Sequence, residues 1–371
     1  MMNEELLDDP VALLAADRIG LLRALATAGA QVRELAALGE EAGLSRLAAG
    51  GVPRSLVLVA EPPASAVAGL LAALGDRRAG CPIVLHALDA PLPNWVGAAD
   101  LVVVAGLSHA RERELALLAE AAARRGAALL GVGRAAGTLE ERCTWARAPY
   151  VAVPRGHAEP AALWSLATPI LRLAGDLDLI EVDTAAVAAA LDATAEVCRP
   201  DAESFLNPAK LLALQLVGSL PVLVADSLAT GVVAELVRAG LAGLAGLPSA
   251  VAVLPADAAQ VAAYLTGPYA PVEDERDVFR DRLEEPGPAL RLVTVSDGRQ
   301  AGEAGRAALL ELVHSAEQVG VPIAELTVDQ PPGLPRLAGQ LALGDFAAAY
   351  LRLGLGSGAR ALGADLGRYP A

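Results

Sequence analysis

Lysine is almost missing from this chain: Lys210 is the only one, and every other basic residue is an arginine. Basic residues number 29 against 44 acidic ones, a formal net charge of −15. A chain this acidic repels phosphate backbones, so nucleic acid is excluded as an expected partner. An anionic small ligand would have to be held by local donors. Aromatics make up only 3% of the residues, so the apolar interior must be built from Ala, Leu and Val, a composition that suits sheets covered by Ala/Leu helices. Cysteine is scarce too. Cys81, Cys143 and Cys198 lie far apart with no CxxC pair, which excludes a disulfide framework and fits a reducing, cytoplasmic setting. The four histidines, His86, His109, His157 and His314, lack metal-ligand spacing, so no metal and no cofactor are expected. Near the N-terminus Asp8 and Asp9 come early and no basic segment precedes an apolar stretch, so no signal peptide is expected. The longest uncharged run, residues 239–256, is broken by Gly240, Gly243, Gly246, Pro248 and Pro255. It reads as a helix end, a loop and a buried strand, and no membrane partner is expected.

What is present in quantity is apolar pattern. Hydrophobic residues are 54% of 371, enough for two cores. Asp9-Pro10 reads as a helix cap with proline at the first helical position, and a long amphipathic helix is expected to about residue 38. After the Gly-rich 48–51 stretch, short apolar runs alternate with helical patterns. Strands are expected at 55–60, 83–87, 101–105, 128–132 and 150–153, with a helix over 111–125 among them. Their continuous hydrophobicity suits strands buried on both faces of a parallel sheet. Residues 160–220 read as mostly helical, and Asn207-Pro208 repeats the cap-then-proline signal. Strands resume at 222–225, 250–254, 290–295 and 323–326, and a closing helix is expected over 334–353. The partition this suggests is an N-terminal helical segment (1–50), a first doubly wound α/β domain (51–175) and a second with the closing helix (176–371).

Several pieces of the second half occur in a familiar order. They are Asn207-Pro208-Ala209-Lys210 leading into Leu220-Pro221-Val222-Leu223-Val224, then Val253-Leu254-Pro255, then Gly344-Asp345-Phe346 through Ala349-Tyr350-Leu351. In these the chain resembles the bifunctional phosphoglucose/phosphomannose isomerase family, a double sugar-isomerase (SIS) group. The resemblance implies two SIS-type domains with parallel sheets flanked by helices, and a homodimer. Such enzymes interconvert aldose and ketose phosphates through an enediol. A carboxylate base moves the proton, a histidine assists ring opening, and a Ser/Thr-rich loop holds the phosphate.

At the positions that match the family's motifs, these groups are missing. The base segment corresponds to Leu241 through Pro248, with Gly243 at the glutamate position. The histidine segment corresponds to Leu254 through Gln260, with Ala259 at the histidine position. The glycine-rich loop after the first strand is Ala60-Glu61-Pro62-Pro63-Ala64-Ser65, where two prolines remove N–H donors and Glu61 adds a repelling charge. The loop after the third strand keeps only Ser108, and the family's substrate arginine corresponds to Pro160. No catalytic residue is therefore expected.

The polar groups that survive at strand ends are Ser108, His109 and Arg111, and Asp226, Ser227 and Thr230. They are the candidate phosphosugar contacts. An alternative reading makes each set an ordinary helix start. The acidic stretch 273–285 reads as a salt-bridged surface segment. The functional expectation is a phosphosugar- or nucleotide-sugar-binding protein, catalytically inactive, regulatory or assembly-related. Its rival is an active isomerase with relocated groups, drawn from His109, Arg111, Asp226, Asp257 and Glu285.

Overall fold

A computed structural model describes residues 2–75, 80–156, 161–271, 288–298 and 302–356. His157, Pro160 and the 273–285 stretch with Glu285 lie outside the described residues. The chain forms two compact units, Ala26–Asp192 and the pair Met1–Leu25 with Ala193–Ala371. They do not follow chain order.

Residues 4–42 form four helices, with no single long helix after Asp9-Pro10. They are α1 (Glu4–Asp8), α2 (Pro10–Ala16), α3 (Leu21–Ala26) and α4 (Ala28–Ala42). Asp9 caps α2 as expected, accepting from the N–H groups of Val11 and Ala12. Asp17 causes the break. Its carboxylate accepts from Leu21 and Leu22 N–H at 2.9 and 2.8 Å, and Gly20 takes φ +65°. A new helix is therefore started where the apolar period alone reads as continuous.

The unit Ala26–Asp192 continues with α5 (Leu44–Ala48), β1 (Leu56–Ala60), α6 (Val67–Gly75), β2 (Ile83–His86), β3 (Leu101–Gly106), α7 (Glu112–Arg124), β4 (Ala128–Arg134), α8 (Thr138–Ala146), β5 (Tyr150–Val153) and α9 (Leu163–Asp176), and runs into α10 (Thr184–Val197). The sheet is fully parallel in the order β2-β1-β3-β4-β5. The strands β1 and β3 are buried at every position, which is why they read as unbroken apolar runs. One face packs Val57, Val59, Val102 and Val104 against Leu115, Leu118 and Ala119 of α7. Helix α9 is buried along nearly its whole length.

The second unit holds α11 (Pro208–Leu216), β6 (Ser219–Ala225), α12 (Leu228–Ala245), β7 (Ala250–Val253), α13 (Ala258–Leu265), β8 (Ala289–Val295), α14 (Glu303–Gln318), β9 (Ile323–Glu325) and α15 (Leu334–Gly354). Its sheet is parallel in the order β7-β6-β8-β9, which repeats the order of the first four strands of the other sheet. Both sheets are flanked by helices, the α/β arrangement expected. Helix α12 is long and apolar enough to cross a bilayer by length and composition. In this fold it buries Val233, Ala234, Val237 and Leu241, and Gly246 ends it in the left-handed region before β7, as the 239–256 run predicts.

Candidate functional site

The strand ends of the first sheet open onto a cleft of about 680 Å³. Three loops line it. The β3–α7 loop contributes Leu107, Ser108, His109 and Ala110, and α7 adds Glu112. The end of β4 contributes Arg134 to Gly137, and the end of β5 contributes Val153, Pro154 and Arg155. Parallel strands bring these segments together because all three end at the same edge, where α/β sheets usually carry their ligands.

Ser108 is half-buried and its N–H donates to Glu61 Oε2 at 3.1 Å. It does not cap α7. That position falls to Arg111, which makes no side-chain cap bond, is exposed and does not line the cleft. His109 stands at the rim, its Nδ1 3.8 Å from Glu112 Oε2. Glu112 is held on its other side, with Oε1 accepting from Thr138 N–H at 2.7 Å. A Cβ at Gly137 would lie within van der Waals collision of Glu112 Oε1, so glycine is required there for the carboxylate to reach that donor. The Arg134 guanidinium donates to Leu107 O at 3.3 Å, and Tyr150 pins the strand end by donating from its hydroxyl to Arg134 O at 2.6 Å. Burial raises the Tyr150 phenol above its ordinary range, so this hydroxyl stays a donor. The cleft therefore combines two guanidinium groups, Arg134 and Arg155, with a histidine, a serine and one carboxylate. Its guanidinium groups can pair with an anionic group, and Ser108 and Glu112 can hydrogen-bond hydroxyls. Arg134, Arg155 and Glu112 were not singled out in the sequence. Inspecting the ends of β4 and β5 as well as β3 would have found the arginines.

The second candidate set lies at the end of β6. Ser227 and Thr230 form a capping box on α12, as their spacing suggests. Asp226 is buried. Its Oδ1 accepts from Thr230 Oγ1 at 3.0 Å and from Asp297 N–H at 3.3 Å, and its Oδ2 accepts from Ser296 Oγ at 2.5 Å. Burial pushes the neighbouring Asp297 carboxyl up, offset by the N–H of Gly333. Ser296 and Asp297 also escaped the sequence reading. The positions matching the family's base and histidine differ in place. Gly243 sits on the exposed side of α12 with nothing within 4 Å of a Cβ built on it. Ala259 is exposed in the first turn of α13. Asp257 accepts from its own strand, from Val253 N–H at 2.7 Å.

Residues 205–359 match the model of the bacterial phospho-glucose isomerase C-terminal SIS domain. The chain carries a SIS domain. Around it the whole fold is similar to solved structures. One is a hypothetical protein from Thermus thermophilus, at 16% identity and TM-score 0.67, covering 98% of this chain and 94% of that one. Another is a tagatose-6-phosphate ketose/aldose isomerase from Escherichia coli, at 14% and 0.59, covering 91% of each. A third is the C-terminal domain of a glucosamine-fructose-6-phosphate aminotransferase from Francisella tularensis, at 10% and 0.54, covering 90% and 95%. No curated protein matches the sequence. At these identities the likeness shows the fold alone and carries no residue roles.

Proposed function

We propose that this SIS-domain protein binds a phosphosugar or nucleotide-sugar in the Ser108–Arg155 cleft without isomerising it, as a regulatory or assembly component of sugar-phosphate metabolism. The observation that carries this reading is the separation of the two requirements. Anion-binding groups gather in one cleft, whereas the family's two proton-handling positions are Gly243 and Ala259. Loss of one positioned acid or base costs about 10²–10⁴-fold in rate, and both are replaced. The test is calorimetry with glucose 6-phosphate at low salt, beside a coupled isomerase assay. A charge-assisted contact is worth roughly 1.5–3 kcal/mol. Arg155→Ala, at an exposed position, should therefore weaken binding by about tenfold or more, with no turnover in any variant. Unchanged affinity in Arg155→Ala and Arg134→Ala would refute the cleft as the site.

One observation favours a second reading, an active isomerase with relocated groups. His109 and Glu112 form a histidine–carboxylate pair at the cleft, 3.8 Å apart. Turnover of about 1 s⁻¹ or more that His109→Ala abolishes would establish it. The other relocation candidates are less favourable: Arg111 does not line the cleft, and Asp226 and Asp257 are engaged by their own loops.

A homodimer in the cytoplasm is the working form we propose. Phe205 and Leu206, 71% and 68% exposed just before α11, supply apolar surface for it. Light scattering that returns the mass of one chain at micromolar concentration would refute the dimer.

A further inference from the structure

Two carboxylates occupy the same place in the two units. Glu61 is the first residue after β1, and Asp226 is the first after β6. Each backbone N–H donates to the neighbouring strand, Glu61 to Ala105 O at 3.2 Å and Asp226 to Val295 O at 3.3 Å. Each carboxylate then reaches into the loop that follows that neighbour. Glu61 Oε2 accepts from the N–H groups of Leu107 and Ser108, both at 3.1 Å. Asp226 accepts from Asp297 N–H and from Ser296 Oγ. The two residues are 9% and 1% exposed.

The strand pairs concerned, β1/β3 and β6/β8, are where strand order reverses in each sheet. That crevice is the place where open parallel sheets take their ligands, and loop N–H groups pointing into it are donors for an anion. Here the donors hold a side chain of the chain itself. The strand end is also shaped around it, because a Cβ at Gly106 would lie 2.6 Å from Glu61 Oε2.

We propose that Glu61 is a resident anion that closes the β1/β3 crevice to anionic ligands, and that Asp226 does the same at β6/β8. Glu61 is then a specificity-determining residue. It withholds the Leu107 and Ser108 N–H groups and repels any phosphate that approaches them. This goes beyond the cleft assignment and does not rest on it, because Arg134 and Arg155 take no part.

The test is calorimetry with inorganic phosphate at low salt on wild type, Glu61→Ala and the double variant Glu61→Ala/Arg155→Ala, with the amide resonances of Leu107 and Ser108 followed by NMR. Glu61→Ala should bind phosphate at least tenfold more tightly than wild type, with both amides shifting on titration. The double variant should keep that gain. Phosphate affinity no higher in Glu61→Ala than in wild type, or a gain without movement of those two amides, overturns the proposal. If Glu61→Ala does not fold, Glu61→Ser carries the same measurement. If neither folds alone, recovery of folding by added phosphate supports the proposal and failure to recover overturns it.

Discussion

Replacing the single lysine should destabilise the unit that contains it. Lys210 is fully buried, and its ammonium donates to Leu7 O at 2.5 Å, Ala202 O at 2.7 Å and Pro200 O at 2.8 Å. It also lies 5.6 Å from the centre of the Tyr350 ring. Lys210→Met keeps most of the stem and its packing but removes all three donors. A buried acceptor left without a partner costs about 1–3 kcal/mol. The Leu7 carbonyl is the most enclosed, while those of Pro200 and Ala202 can partly regain water. With about 1 kcal/mol for the lost cation–π contact, the total comes to about 3–5 kcal/mol. For a unit of this size that is a fall in Tm of roughly 6–20 °C, at roughly 2–4 °C per kcal/mol. Thermal unfolding followed by circular dichroism measures it. Limited proteolysis adds a local readout, because losing the bond to Leu7 should free the first helices for cleavage before the rest. A Tm within about 2 °C of wild type, with no earlier N-terminal cleavage, would show that the ammonium only fills space and would refute the reasoning.

Two further outcomes follow from buried groups. Asp345 is half-buried on α15, and burial pushes its carboxyl up to about 7, against about 3.9 when unfolded. The folded state therefore holds a proton that the unfolded state has lost. The stability this contributes is full below about pH 4 and is lost as pH rises through about 7. Asp345→Asn should flatten that slope and be more stable than wild type at pH 8 in urea unfolding, and an unchanged difference between pH 5 and pH 8 would contradict this. In the first sheet, a Cβ at Gly131 would lie 2.5 Å from Cys143 Sγ and 2.7 Å from Tyr150 Cδ2. Gly131→Ala should cost about 1–3 kcal/mol by overpacking, and a denaturation midpoint equal to wild type would argue that the ring moves aside freely.

Most of the fold was legible because its strands are apolar without interruption. The run 101–105 became Leu101–Gly106, and 150–153 became Tyr150–Val153. Where an expected strand was too short, proline was the reason. Strand β6 begins at Ser219, three residues before the expected start, with Pro221 inside it. Proline is tolerated there because β7 begins pairing only at Val222, so Pro221 lacks a neighbour on that side and no ladder bond is lost. The N-terminal helices look continuous in sequence because the polar break at Asp17 and Gly20 sits inside an otherwise helical period. The capping pair Ser227 and Thr230 was readable from spacing alone. The cleft was not. Ser108, Arg134 and Arg155 are distant in sequence, and only the parallel register of β3, β4 and β5 brings their strand ends together. In sequence Glu61 is only a repelling charge in a proline-rich loop; its capture of two N–H groups of the loop after β3 depends on the β1/β3 pairing.

The division of the chain into units has a consequence for its synthesis. The Met1–Leu25 segment belongs with Ala193–Ala371, and Asn3 N–H donates to Gly354 O at the end of α15. On a ribosome the first helices emerge long before any of their partners exist. At about 5–20 residues per second, the nascent chain waits on the order of 10–30 s before Ala193 is even made, while Ala26–Asp192 can already close its own sheet. Through that interval Leu7 and Leu13, fully buried in the finished protein, have no core to enter. The Met1–Leu25 helices are then made before the Ala26–Asp192 unit and settle after it.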